Sequence, residues 1–100
     1  MHSTASQFKT GRVSNIGTTG IQIFDDQTAR AMISINIYCP TGNDGTIYIS
    51  DNSGVTADSD DDTDGYPVSA DDTLELKIRN PQEVWAIADS GVQKLFYLIV

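Results

Sequence analysis

Apolar and polar residues alternate with period two along most of this chain, and helical periodicity is nearly absent. The clearest case covers residues 29–38. Ala31, Ile33, Ile35 and Ile37 fall on one face there, and Met32, Ser34, Asn36 and Tyr38 on the other. That alternation predicts a half-buried strand, and its β-branched residues suit the pleat. Residues 73–79 repeat the pattern, with Leu74, Leu76 and Ile78 inward and Glu75, Lys77 and Arg79 outward. Residues 46–50 place Ile47 and Ile49 inward and Tyr48 outward, and residues 19–24 set Ile21 and Ile23 against Gln22 and Phe24. Residues 8–14 make a weaker strand, marked by Phe8 and Val13, with a bulge or bend expected at Gly11. Residues 83–88 and 93–100 complete the set.

Turn signals separate these segments at short intervals: Asp25-Asp26-Gln27, Asp51-Asn52-Ser53-Gly54, Asn80-Pro81 and Asp89-Ser90-Gly91. Asp44-Gly45 is a strong pair for a hairpin turn. Residues 55–72 read as mostly loop, with Tyr66-Pro67-Val68 a short apolar anchor. About seven strands at this spacing predict an all-β fold. The expected architecture is an antiparallel β-sandwich of jelly-roll or immunoglobulin-like type, with barrel-like closure as a variant. Residues 1–7 are expected to form a flexible N-terminal arm, and residues 8–100 a single β-sandwich domain.

The segment over 93–100 departs from simple alternation. Leu95, Tyr97 and Ile99 face one way and Phe96, Leu98 and Val100 the other, so both faces are apolar. A two-layer sandwich buries one face of each strand. The second face therefore needs a cover, either another polypeptide or the chain's own N-terminal arm. Trp85 and Tyr48 are further candidates for a partner interface, where such aromatics are enriched.

Composition narrows the function classes. With 39% hydrophobic residues in 100, the chain can fold, but its core is modest and association would add burial. Fourteen acidic residues against six basic ones give a formal charge of −8, which disfavours binding to nucleic-acid phosphates. No apolar run is long enough to cross a bilayer, and the first residues lack the charge and apolar pattern of a secretory signal, so no membrane association or export is expected.

Candidate chemistry is sparse. Cys39 is the sole cysteine and His2 the sole histidine. Cys39 sits at a strand end before Pro40 and is expected to be a buried filler rather than half of a catalytic pair. Gly17-Thr18-Thr19-Gly20 lacks the Lys-Ser/Thr of a phosphate loop and reads as a turn. Glu75 and Glu83 are the only glutamates, and nothing in their context marks an acid–base pair. No catalytic activity is expected. Asp60, Asp62, Asp64 and Gly65 match the opening of a calcium loop, with Asp71 at its twelfth position. Against that match, the flanks are strands, Asp replaces Glu at the last position, and Pro67 interrupts the loop. A solvated acidic tip is the alternative. Tyr38, Tyr48, Tyr66, Trp85 and Tyr97 are candidates for a sugar-stacking shelf or for core and interface packing.

The succession Thr46-Ile47-Tyr48-Ile49-Ser50, Gly54-Val55-Thr56, Gly65-Tyr66-Pro67-Val68, Leu74-Glu75-Leu76, Val84-Trp85-Ala86-Ile87-Ala88 and Leu95-Phe96-Tyr97-Leu98-Ile99-Val100 resembles small β-sandwich virion proteins of tailed bacteriophages. The likeness covers about the C-terminal half and is structural in kind. The loop between Ala57 and Gly65 is longer and more acidic than the usual pattern. The resemblance implies a non-enzymatic virion structural protein, foremost a capsid decoration or cement protein bridging subunits of the major capsid protein. A homo-oligomer, with a trimer favoured, and a place on the capsid surface after synthesis in the host cytoplasm go with that role. A tail, neck or fibre component, or a glycan- or receptor-binding module, is the alternative.

Overall fold

The computed structural model of the protein describes residues 9–24, 33–57 and 62–100. The expected N-terminal arm, His2, Phe8, the turn at Asp25-Asp26-Gln27, Ala31, Met32, and Asp58, Asp60 and Asp61 lie outside the described residues.

Among the described residues, eight strands follow one another: β1 (Lys9–Ile16), β2 (Ile21–Gln22), β3 (Ile33–Tyr38), β4 (Ile47–Ser50), β5 (Tyr66–Val68), β6 (Thr73–Ile78), β7 (Trp85–Ala88) and β8 (Gln93–Ile99). They form two four-stranded antiparallel sheets, ordered β1-β8-β3-β6 and β2-β7-β4-β5. The chain thus changes layer at every connection except β4 to β5. This is the strand order of an eight-stranded jelly roll, and it resolves the expected sandwich in favour of that topology.

Alternation and burial agree closely in the first sheet. Ile33, Ile35 and Ile37 point into the core from β3, and Leu95 and Ile99 from β8, all nearly inaccessible to solvent. The second sheet contributes Ile47, Ile49, Val68, Ala86 and Ala88. Each fully buried Ile or Leu contributes roughly 1.5–3 kcal/mol before ordering entropy is set against it.

Four expectations need correction. First, β1 has no bulge at Gly11. Gly11 lies directly across from Tyr97, and a Cβ there would collide with the Tyr97 ring. The irregularity comes later, between the pairs Val13↔Leu95 and Ile16↔Gln93. One extra residue there re-phases the strand and brings Ile16 fully into the core. Second, residues 19–24 pair with β7 only at Ile21 and Gln22. A bend at Ile23 breaks the alternation, so Phe24 is buried instead of facing away. Its ring meets Tyr97 edge-on at 4.9 Å between centroids. Third, Asp44-Gly45 does not close a hairpin, because β3 and β4 belong to different sheets. Fourth, Tyr66-Pro67-Val68 is a strand, β5, paired with β4, which raises the count to eight. Pro67 is tolerated because β5 is an edge strand.

Side chains take over from the backbone where the chain crosses between layers. Asn43 bonds both ways with the Lys94 main chain, at 2.7 and 3.1 Å, and so extends β8's hydrogen bonding beyond the end of β3. Gln93 is the buried polar residue of the core. Its Oε1 accepts from the Asp44 N–H at 3.1 Å, and its Nε2 donates to Asp44 Oδ1 and to the Ser90 carbonyl, both at 2.8 Å. The Ala88 N–H donates to the Gly17 carbonyl at 2.7 Å and ties the end of β1 to the other sheet. Asn80 caps the 3₁₀ turn Pro81–Glu83 between β6 and β7.

Gln93→Leu keeps the volume but strips the Asp44 N–H and the Ser90 carbonyl of their partners. Chemical denaturation should show a loss of about 1–3 kcal/mol, with the jelly roll retained.

Candidate functional site

The outer face of the first sheet is built by the residues that alternate with its core set. Three cross-strand rows can be read from the register. Arg12, Phe96, Tyr38 and Thr73 form one, and Thr10, Leu98, Asn36 and Glu75 the next. In the third, Val100 exchanges main-chain bonds with Ser34, which stands across from Lys77. Phe96 is 41% exposed, Val100 55% and Tyr38 37%, and Leu98 is half-buried between them. The last strand therefore carries an uncovered apolar ridge among the described residues, as its alternation predicted.

Two open depressions flank Phe96. One, of about 380 Å³, is lined by Asn36, Tyr38, Thr73 and Leu98. The other, of about 580 Å³, is lined by Thr10, Gly11 and Arg12. The charged residues on this face are of both signs: Arg12, Lys77 and Lys94 with Glu75, which accepts a bond from the Ser34 hydroxyl at 2.9 Å. This face offers shape and apolar area, with charges of both signs among its outer residues.

Trp85 and Tyr48 are not part of it. Trp85 stands across from Ser50 and Gln22, and Tyr48 across from Ile87 and Pro67, on the outer face of the second sheet. The five interface candidates thus divide between opposite sides of the sandwich. The layer changes before β4 and β7 cause the division. The five ring residues do not assemble into a shelf either. Tyr38 is on the first outer face, Tyr48 and Trp85 on the second, Tyr97 against the core, and Tyr66 at the rim of a cleft between the sheet edges.

Of the calcium-loop candidates, Asp60 lies outside the described residues, and Asp62, Asp64 and Asp71 lie within them. Asp64 bridges to Thr56 and accepts from its hydroxyl at 2.9 Å, and Asp62 is exposed in the preceding turn. Asp71 lies beyond the far end of β5, in the turn before β6. The strand β5 lies between Asp64 and Asp71. Among the described residues, no group of three His, Cys, Asp or Glu side chains is placed to hold a metal ion. Glu75 and Glu83 sit apart, one on the outer sheet face and the other in the 3₁₀ turn.

Asp71 has a local role. Its backbone is left-handed, at φ 72°, and its carboxylate accepts from the Tyr38 hydroxyl at 3.0 Å. That bond raises the Tyr38 pKa, with smaller contributions from desolvation and from the carboxylate's charge. Cys39 is fully buried. Burial raises its pKa; the bond from the Asn43 amide at 3.0 Å works against this, and the Asp72 charge adds to it.

The cleft between β5 and β6 is the feature that sequence reasoning missed. Leu74, Leu76 and Ile78 alternate like core residues, yet they are only half-buried, because they line this opening. Comparison with protein-family models, with curated proteins and with solved structures returned no match.

Two outcomes follow from these groups. Tyr38 keeps its proton more tightly in the folded state than in the unfolded chain. Its contribution is complete below a pH of about 10, the ordinary tyrosine value, and is lost as the pH rises through the raised one. Asp71→Asn should lower the Tyr38 titration midpoint, read by phenolate absorbance. The Cys39 thiol should react with a disulfide reagent at pH 8 much more slowly in the native protein than in denaturant.

Proposed function

We propose that this chain is a structural interaction protein of a bacteriophage virion, a capsid decoration or cement subunit that seats the outer face of its first sheet on the shell. The observation that carries the reading is the row of Phe96, Leu98 and Val100, apolar and, among the described residues, uncovered on the face that points away from the core. Burying such a ridge against a protein surface supplies the affinity, and the Arg12, Glu75 and Lys77 rim sets orientation. The jelly roll recurs in viral capsid and lectin domains, which supports the reading as an analogy of fold. The resemblance of the C-terminal half to phage virion proteins supports it independently.

In this reading the major capsid protein is the partner, copies of the chain associate with one another, foremost as trimers, and the protein has no catalytic role. Trp85 and Tyr48 face away from the shell or toward a neighbouring copy. A second reading, glycan or receptor recognition at the virion surface, is favoured by one observation. The hollow beside Phe96 combines two rings, Phe96 and Tyr38, with polar groups of Asn36 and Thr73. Stacking plus hydrogen bonding is how proteins hold small polar ligands.

The leading reading expects virions to contain the protein at a copy number near that of the major shell protein. Phe96→Asp with Leu98→Asp should abolish co-sedimentation with shells. The fold should persist, at a cost of about 1–3 kcal/mol, because Leu98 is half-buried in a central strand. Trp85→Ala should leave shell binding intact. A few copies per particle points to the tail or neck instead. Glycan-array binding lost with Tyr38→Ala, without any affinity for shells, replaces the cement reading by the second one.

A further inference from the structure

The two sheets do not close on one another along the side where β6 and β5 form their edges. A cleft of about 460 Å³ opens there. Leu74, Leu76, Ile78, Ile49 and Val84 make its walls apolar. The Tyr66 ring stands at its rim, 63% exposed. The charged side chains lining the cleft are Asp51, Asp64 and Glu83, all acidic. They gather at one end. Ser50 pairs with Trp85, so Asp51 lies near the 3₁₀ turn that carries Glu83, and Asp64 precedes the Tyr66 that pairs with Ile49. This is also the end reached by Ile78, the last residue of β6 before that turn.

The main chain of β6 adds a second feature. Ser34 directs its N–H and carbonyl toward Val100, on the β8 side. Peptide groups alternate in direction along a strand, so Ile33, Ile35 and Ile37 direct theirs toward β6. Their partners Ile78, Leu76 and Leu74 point back at them. Thr73, Glu75 and Lys77 therefore present their N–H and carbonyl groups to the free edge. Among the described residues, β6 pairs with β3 alone.

We propose that the β6 edge and this cleft bind an extended polypeptide segment, added as a fifth strand to the first sheet, with apolar side chains in the cleft and a Lys or Arg beside Ile78. The edge groups of Thr73, Glu75 and Lys77 supply the ladder. With the segment antiparallel to β6, the incoming residues that bond to them point outward, and the alternate residues point into the cleft. There they cover Leu74, Leu76 and Ile78 and the Tyr66 ring. The stem of a basic side chain at the last cleft-facing position runs along the apolar wall. Its charged head meets Asp51, Asp64 and Glu83. A net charge of −8 draws such a segment in from solution. The site uses the main-chain edge of β6 and the cleft on the inner side of its sheet, whereas the proposed shell contact uses outer-face side chains, so peptide binding can be tested apart from shell binding.

The test is titration of the isotopically labelled protein with the synthetic peptide Lys-Thr-Val-Thr-Leu-Thr-Lys at low salt, followed by amide NMR. Run antiparallel to β6, the peptide places its N-terminal lysine opposite Ile78. The amides of Thr73, Glu75 and Lys77 should shift together with Tyr66. N-methylation of the three peptide threonines should abolish binding, because those nitrogens make the ladder. The double variant Asp51→Asn, Glu83→Gln should keep its native spectrum and weaken binding about three- to ten-fold. The analogue with Glu in place of both lysines should not bind. No saturable shift in the wild-type protein overturns the proposal. So does binding that survives N-methylation, or shifts confined to the Phe96 face.

Discussion

A residue in a β-strand shows its side chain to one side of the sheet only, and a two-layer sandwich has one inside. The rest of this structure depends on that geometric constraint. It fills the space between the layers with Ile33, Ile35, Ile37, Leu95 and Ile99 from one sheet and with Ile47, Ile49 and Val68 from the other. It also means that the apolar residues in between, Phe96, Leu98 and Val100, have no place inside. The protein keeps hydrophobic side chains on an outer face because its last strand carries them at both parities, and the core can take only one.

The path of the chain decides what each outer face contains. Because all but one of the connections change layer, residues close in sequence end on opposite sides of the molecule. Trp85 and Phe96 are eleven positions apart, yet they belong to different outer faces. The crossings hold because side chains replace missing ladder bonds: Asn43 pairs with Lys94, and Gln93 satisfies Asp44 and Ser90 from inside the core. Buried polar groups satisfied in this way fix the layer geometry rather than weaken it.

The edges of the sheets complete the picture. A sandwich, unlike a closed barrel, leaves strand edges open. Here β5 is short and carries Pro67, which blunts one edge. β6 has six residues and charged side chains on its outer face, but it keeps a half-buried apolar inner face above a cleft. Of the acidic residues in the calcium-loop pattern, Asp64 lines this cleft and Asp71 accepts a bond from the Tyr38 hydroxyl in the turn before β6.

The sequence by itself determined the strands and their inward residues wherever alternation was unbroken, as in β3 and β4. In those strands period two and burial are the same physical fact. It also determined that the last strand is apolar on both sides. It misplaced what depends on a neighbour in space. The bulge after Val13 and the bend at Ile23 that buries Phe24 answer to partners distant along the chain, Gln93 and Tyr97. Only the tertiary structure decided that Asp44-Gly45 crosses between layers, that Asp64 and Asp71 are held apart by β5, and that Trp85 and Tyr48 lie across the molecule from Phe96. Strand order is a property of long-range pairing, and local alternation is the same whichever sheet a strand joins.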